Sequence, residues 1–186
     1  MIYMRKVEVV AYSEEWNKKF EEEALQIQEI LGSEIIAIHH IGSTSIKDLS
    51  AKPIIDMMPI VRDITKIELY NNTMISNGYI PKGENGLSGR RYFQKGGYNR
   101  THHVHMYEQG NPEIERHLAF RDFLRVHSNI AKTYGDLKEA LAKKFPYNIE
   151  AYINGKEKLA KEIEQKALQW CKDIPQERIG VFMDTY

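Results

Sequence analysis

The chain has 186 residues, of which 42% are hydrophobic and 28% charged, with 26 basic residues balanced by 26 acidic ones. That length buries about two-thirds of the unfolded surface and fits one domain better than two. A formal charge of zero excludes a global field for gripping nucleic acid or a membrane, so any anion site must be built locally.

The opening stretch MIYMRKVEVVAY carries charge from Arg5 onward and lacks the long apolar run of a signal peptide or membrane span. A cytoplasmic location is the expectation. Next, Trp16, Phe20, Ala24, Ile27 and Leu31 recur at helical spacing, with Ser13 placed to cap the start and Gly32 to end it. EIIAIHHIG reads as a buried strand stopping at Gly42. AKPIIDMMPIV reads as a second, with Pro53 at its start and Pro59 near its exit, where a missing donor is tolerated. A weaker helical pattern runs from about Ile64 to Ser76 and ends at Asn77-Gly78. PKGENGLSG reads as a loop, and RRYFQKGGYNRTHHVHMYE as a hairpin around Gly96 and Gly97. From Pro112 to Phe145, and again from about Ile149 to Asp173, the pattern is helical. Pro146 lies between the two stretches, and Cys171, in the second, is the chain's single cysteine, which excludes an internal disulfide. The expected organisation is one α/β (α+β) domain over 1–186: a core over about 1–109, a helical layer over 110–173 and a tail over 174–186 without a readable pattern.

Three groups of residues carry chemistry. Gly42, Ser43 and Thr44 follow a strand, so their backbone N–H groups and hydroxyls can converge on an anion; an ordinary Ser/Thr/Gly turn has the same composition. Asp56 lies in an apolar strand, where an acid is costly unless it is paired, metal-bound or at an open end; a salt bridge, for instance to Lys52, is the plain alternative. In THHVHM, the period of two puts His102, Val104 and Met106 on one face and His103 with His105 on the other. Two imidazoles and Asp56 make a two-histidine, one-carboxylate set for a divalent metal, or a phosphate-binding and proton-moving group. A polar strand edge is the bland reading. On the helix ERHLAFRDFLRVH, Arg121 and Arg125 stand one turn apart, spaced for two guanidinium forks on one oxyanion or for a solvated face. Lys138, in YGDLKEALAKKF, points either to solvent or to a site.

HHIGSTS, LSAKPIIDM, RRYF, THHVHM, HLAFRDFLR and YGDLKEALA, in this order, resemble the GrpB-like family, itself similar to a domain fused to some dephospho-CoA kinases. The match runs from Tyr12 and Trp16 to about Lys156. The resemblance implies a nucleotidyltransferase-like mixed sheet core with a helical C-terminal layer. It also implies a Gly-Ser turn holding nucleotide phosphates and strand acids holding divalent metal. Gly42 and Ser43 match that turn, and Asp56 the first metal acid. Two positions depart from the pattern: Met58 stands where a second acid would alternate with Asp56, and Lys47-Asp48 where a Pro-Gly step is expected. Met58 cannot ligate Mg²⁺, and His103 and His105 in place of acids shift the preference from Mg²⁺ toward Zn²⁺, Mn²⁺ or Ni²⁺.

The expected ligand is therefore a nucleotide or phosphorylated small molecule. Ser43, Thr44 and Lys52 are expected on its phosphates, Asp56 on a metal, and His103 or His105 as metal ligand or proton acceptor. Arg91, Arg121, Arg125 and Lys138 are expected to neutralise developing charge. Metal-dependent phosphoester hydrolysis and non-catalytic binding are the alternatives to nucleotidyl transfer.

Overall fold

The computed structural model describes residues 6–174, so most of the expected tail lies outside the described residues. Helix α1 spans Glu15–Leu31 and buries Trp16, Phe20, Ile27 and Leu31, the face that the spacing predicts. The Ser13 hydroxyl accepts from the Glu15 N–H at 3.3 Å, and Gly32 ends the helix in a left-handed conformation.

Five strands follow: β1 Ile35–Ile41, β2 Ile55–Val61, β3 Tyr79–Pro81, β4 Arg90–Lys95 and β5 His102–Glu108. They form one mixed sheet in the order β1-β2-β5-β4-β3, with β2 and β5 parallel and the other neighbours antiparallel. The expected hairpin is the β4–β5 pair. The strand predicted around Asp56 begins at Ile55, two residues beyond Pro53, and contains Pro59 opposite Ile38. Strand β3 is too short for a sequence period to reveal. Between β2 and β3, the predicted helical stretch divides into a 3₁₀ segment, Ile64–Tyr70, and helix α2, Asn71–Ser76.

Three helices follow among the described residues: α3 Pro112–Val126, α4 Ser128–Lys144 and α5 Ile149–Asp173. Pro112 opens α3 at a position whose N–H would have no helical partner, and the Asn111 side chain caps it by accepting from the Glu113 N–H.

The alternation of side chains along the strands divides the core between two faces. Met57, Phe93, Val104 and Met106 pack with Trp16, Phe20 and Ile27 of α1. Each fully buried large apolar side chain contributes about 1.5–3 kcal/mol. On the opposite face Ile41, Met58 and Tyr107 pack with Leu118 of α3. Ile46 and Leu49, just after the Gly42 turn, enter a separate cluster with residues of α3, α4 and α5. The helical layer is thereby fastened to the β1–β2 connection, and it closes over only part of the sheet face that carries Asp56. No helix among the described residues is long and apolar enough to cross a membrane.

Candidate metal and phosphate site

Asp56 sits on β2 beside β5, in register with His103, and its carboxylate faces two imidazoles. Its Oδ1 lies 3.2 Å from His103 Nδ1 and 3.4 Å from His105 Nε2. The three side chains are half-buried, and one donor atom from each falls within 4.8 Å of the others. Burial alone would raise the Asp56 pKa. Hydrogen bonds from His103 and His105, with their charge, outweigh it and hold the carboxyl well below the usual range. His103 keeps a second donor atom in hand, since its Nε2 is buried without a partner.

The Gly42 turn is built against this acid. Gly42 has φ +69°, and a Cβ there would stand 2.7 Å from Asp56 Oδ2. Only glycine admits both that conformation and that approach. Ser43–Ser45 then forms a single 3₁₀ turn, in which the Ser45 hydroxyl donates to the Gly42 carbonyl at 2.6 Å. Asp48 occupies the left-handed region at φ +62°, a conformation aspartate tolerates better than most residues. The chain thus reaches a glycine-like backbone where the expected Pro-Gly step is absent.

A cavity of about 440 Å³ opens beside the turn, lined by Gly42, Ser43 and Thr44, by Lys52 and Asp56, by His103, and by residues of all three C-terminal helices. Lys138 Nζ donates to Ser43 Oγ at 2.8 Å and stands over the Tyr134 ring. Burial, reinforced by the neighbouring charges of Lys156 and Lys52, pushes its pKa down to about 7. Lys52 lies over the Tyr152 ring. Arg116, on the same wall, is held by Glu113 and Glu164 at 2.6 and 3.0 Å.

The cavity lining gathers seven of the predicted residues; His105 stands behind it against Asp56, and three others lie elsewhere. Arg91 lies on the opposite sheet face, because β4 alternates and its register pairs Tyr92, not Arg91, with His105. Its guanidinium pairs with Glu68 at 3.0 Å. Neither Arg121 nor Arg125 lines the Asp56 cavity. Arg121 donates to Asp122 and to the His40 carbonyl, and Arg125 donates twice to the Ser45 carbonyl. Both fasten α3 to the β1 edge and the turn. Thr44 lines the cavity, but its hydroxyl also contacts His40 Nε2 at 2.9 Å.

Four site neighbours carried no signal of their own in the sequence. Arg90 is buried under the site, with Nη1 3.4 Å from His105 Nδ1 and its other donors on the carbonyls of Glu84 and Asn85. His117 of α3 has its pKa lowered to about 3, by burial first and then by the charges of Arg116 and His105. Lys156 and Tyr152 come from α5. Met58, two residues beyond Asp56 on the same face, is fully buried against Ile41, Tyr107 and Leu118. The place of a second strand acid is apolar core.

The mixed sheet, the Gly-Ser turn and the strand acid beside it define a nucleotidyltransferase-like α+β fold. The nucleotidyltransferase Cid1, in a complex with its short product ApU, superposes with a TM-score of 0.52 at 12% identity, over 73% of this chain and 43% of that one, a likeness of fold alone. The chain belongs to the GrpB family: the family model described as GrpB protein matches residues 6–166. It is similar to the UPF0157 protein YqkA of Bacillus subtilis, 58% identical over 90% of this chain and 49% of that protein, and so spans about half of that relative's length. The Glutamate-rich protein GrpB of Alkalihalophilus pseudofirmus is 32% identical over 88% of this chain and 98% of that one. The crystal structure of conserved protein GrpB from Enterococcus faecalis superposes with a TM-score of 0.87 at 46% identity, covering 89% of this chain and all (100%) of that one.

Proposed function

We propose that this protein binds a nucleotide or another phosphorylated small molecule in the cavity beside the Gly42 turn, together with a divalent metal held by Asp56, His103 and His105. One observation carries the reading: a carboxylate held ionised between two histidines faces a cavity whose other wall brings Lys52, Lys138 and Lys156 together. The residues suit a metal of the Zn²⁺ or Mn²⁺ kind, since the donor set is two imidazoles and one carboxylate. A bound metal would supply Lewis-acid polarisation of a phosphoryl oxygen.

The chain's own groups have separable roles. The Ser43 hydroxyl and the Lys138 ammonium bind phosphate oxygens, and Lys52 and Lys156 balance the remaining charge. Asp56 orients His103 through Nδ1, and His103 Nε2 serves either as the metal donor or, with the metal held by the other two residues, as the atom that accepts or gives a proton. Nucleotidyl transfer is the reaction this fold class suggests. Metal-dependent phosphoester hydrolysis is favoured by a separate observation, the apolar packing of Met58 where a second metal acid would stand.

A thermal-shift panel of nucleotides and simple phosphate esters, each with and without Mg²⁺, Mn²⁺ and Zn²⁺, tests the reading. A ligand at a hundred times its Kd adds about 2.7 kcal/mol of stability. Release of pyrophosphate marks a transferase, release of inorganic phosphate a phosphoesterase, and binding without either a non-catalytic module. No stabilisation by any phosphate compound under any metal condition overturns it.

A further inference from the structure

We infer that the protein has a second small-molecule site, for an aromatic anion, on the far side of the Gly42–Ser45 turn. A cavity of about 380 Å³ lies along the free edge of β1, between α1 and α3. Its size falls within the range of small-molecule sites, and it combines an apolar aromatic wall with a few convergent polar groups, as such sites do.

The aromatic wall is preformed. Phe20 and His40 stack with ring centroids 4.8 Å apart and planes 7° from parallel, and Tyr12 lines the same space. His40 is fixed on its other side by its contact with the Thr44 hydroxyl. Burial pushes its pKa down to about 3, so the ring adds no charge to the lining; with one face covered by Phe20, it extends the aromatic wall. The rest of the lining is rich in cations. Lys47, Arg121 and Arg125 line the cavity, against one lining carboxylate, Glu21. Even with Asp122, the partner of Arg121, counted in, positive charge is in excess. A flat ring against Phe20 and His40, carrying a carboxylate or phosphate toward the cations, satisfies both parts of the lining. A neutral ring leaves the charge excess uncompensated, and a bare anion leaves the aromatic wall wet.

The site is independent of the phosphate site in its lining residues and shares with it only the turn, so one can be present without the other. The probe is phenyl phosphate, followed by amide NMR titration of the full chain, with orthophosphate and benzyl alcohol as controls. Phenyl phosphate is expected to shift the amides of Phe20, His39, His40 and Lys47 saturably, with at least about tenfold higher affinity there than either control. Phe20→Leu keeps the position apolar and removes the flat ring, and Lys47→Gln removes one exposed cation; each is expected to weaken the interaction several-fold. Chemical-shift dispersion of both variants establishes that they fold. Saturable shifts confined to Ser43, Lys138 and their neighbours would show the probe in the phosphate site and overturn the inference. So would equal binding of benzyl alcohol, insensitivity to both variants, or the absence of saturable shifts near β1.

Discussion

Gly42 and Asp56 are in direct apposition: the position of a Cβ on residue 42 lies 2.7 Å from Asp56 Oδ2 and 3.1 Å from its Cβ. The turn and the acid are therefore one unit, and neither can change without moving the other. Gly42→Ala is expected to destabilise the protein by about 1–3 kcal/mol, because alanine must hold φ +69° and also displace the carboxylate. It should also abolish stabilisation by Mn²⁺. Ser43→Ala, which only shortens the side chain facing Lys138, is expected to keep the metal effect and lose most of the phosphate effect. Chemical denaturation with and without each ligand separates the two. A Gly42→Ala protein with unaltered Mn²⁺ response would uncouple the turn from the acid.

The adjacent arginines Arg90 and Arg91 should behave oppositely. Arg91→Ala removes pairs whose acidic partners, Glu68 and Glu84, are 61% and 51% exposed, and such pairs contribute about 0–1 kcal/mol. Ligand binding should not change. Arg90 is buried, lies over the Tyr92 ring at 4.9 Å and holds loop carbonyls as well as His105. Arg90→Ala is expected to cost about 1–3 kcal/mol and to weaken metal binding by loosening His105. Titration calorimetry with Mn²⁺ on both variants is the check; loss of metal binding in Arg91→Ala alone would invert the assignment.

This pair also shows how far the sequence can be read. A period of two was enough to place His103 and His105 together, because both lie on one strand. Choosing Arg90 over Arg91 needs the register of β4 against β5, and that depends on the six residues, 96–101, that turn the chain between them. Once Tyr92 is known to oppose His105, alternation assigns Arg90 to the site face. The α1 spacing, the apolar runs of β1 and β2 and the two C-terminal helical stretches are legible in the sequence; the division of the first stretch at His127 into α3 and α4 is not. The place of Arg121 and Arg125 is hidden from the sequence for a different reason. Their spacing on α3 is visible in the sequence, but the β1 edge and turn carbonyls that receive them are over 75 residues away, separations of 81 and 80 for the His40 and Ser45 contacts. Lys156 and Tyr152 entered the cavity only through the packing of α5, which no local pattern encodes.

Lys138 gives the fold a pH signature. Its pKa is about 7 in the folded chain, against an ordinary value of 10.5 when unfolded. Between these values the unfolded state binds more protons, so stability rises with pH from about 7 to 10.5 and is flat with respect to this group on either side. Lys138→Met is expected to remove that slope and to stabilise the ligand-free protein near neutral pH, by up to a few kcal/mol. The same variant should bind phosphate compounds poorly. Denaturation curves at intervals across the window decide it, and an unchanged slope in Lys138→Met would locate the titration elsewhere.

Asp56 has the opposite sign, and it decides whether the acid is only a structural partner or also a metal ligand. Its folded pKa lies below the ordinary carboxylate value, so its contribution to stability is fully present above about pH 4 and is lost as pH falls through the folded value. Asp56→Asn keeps the shape but replaces a charged acceptor shared by His103 and His105 with a neutral one. The ligand-free variant is expected to be less stable at pH 7 by about 1–3 kcal/mol, with the difference shrinking as the pH drops below 4. A purely structural acid predicts this loss and nothing more. A metal-holding acid predicts, in addition, that Mn²⁺ or Zn²⁺ stabilises the parent and leaves Asp56→Asn unmoved, because the carboxamide is a far weaker ligand than the carboxylate. Denaturation of both proteins at pH 7, each in chelator and in added metal, measures the two effects separately. Equal metal stabilisation of parent and variant would remove Asp56 from the metal set and leave it as the residue that orients His103.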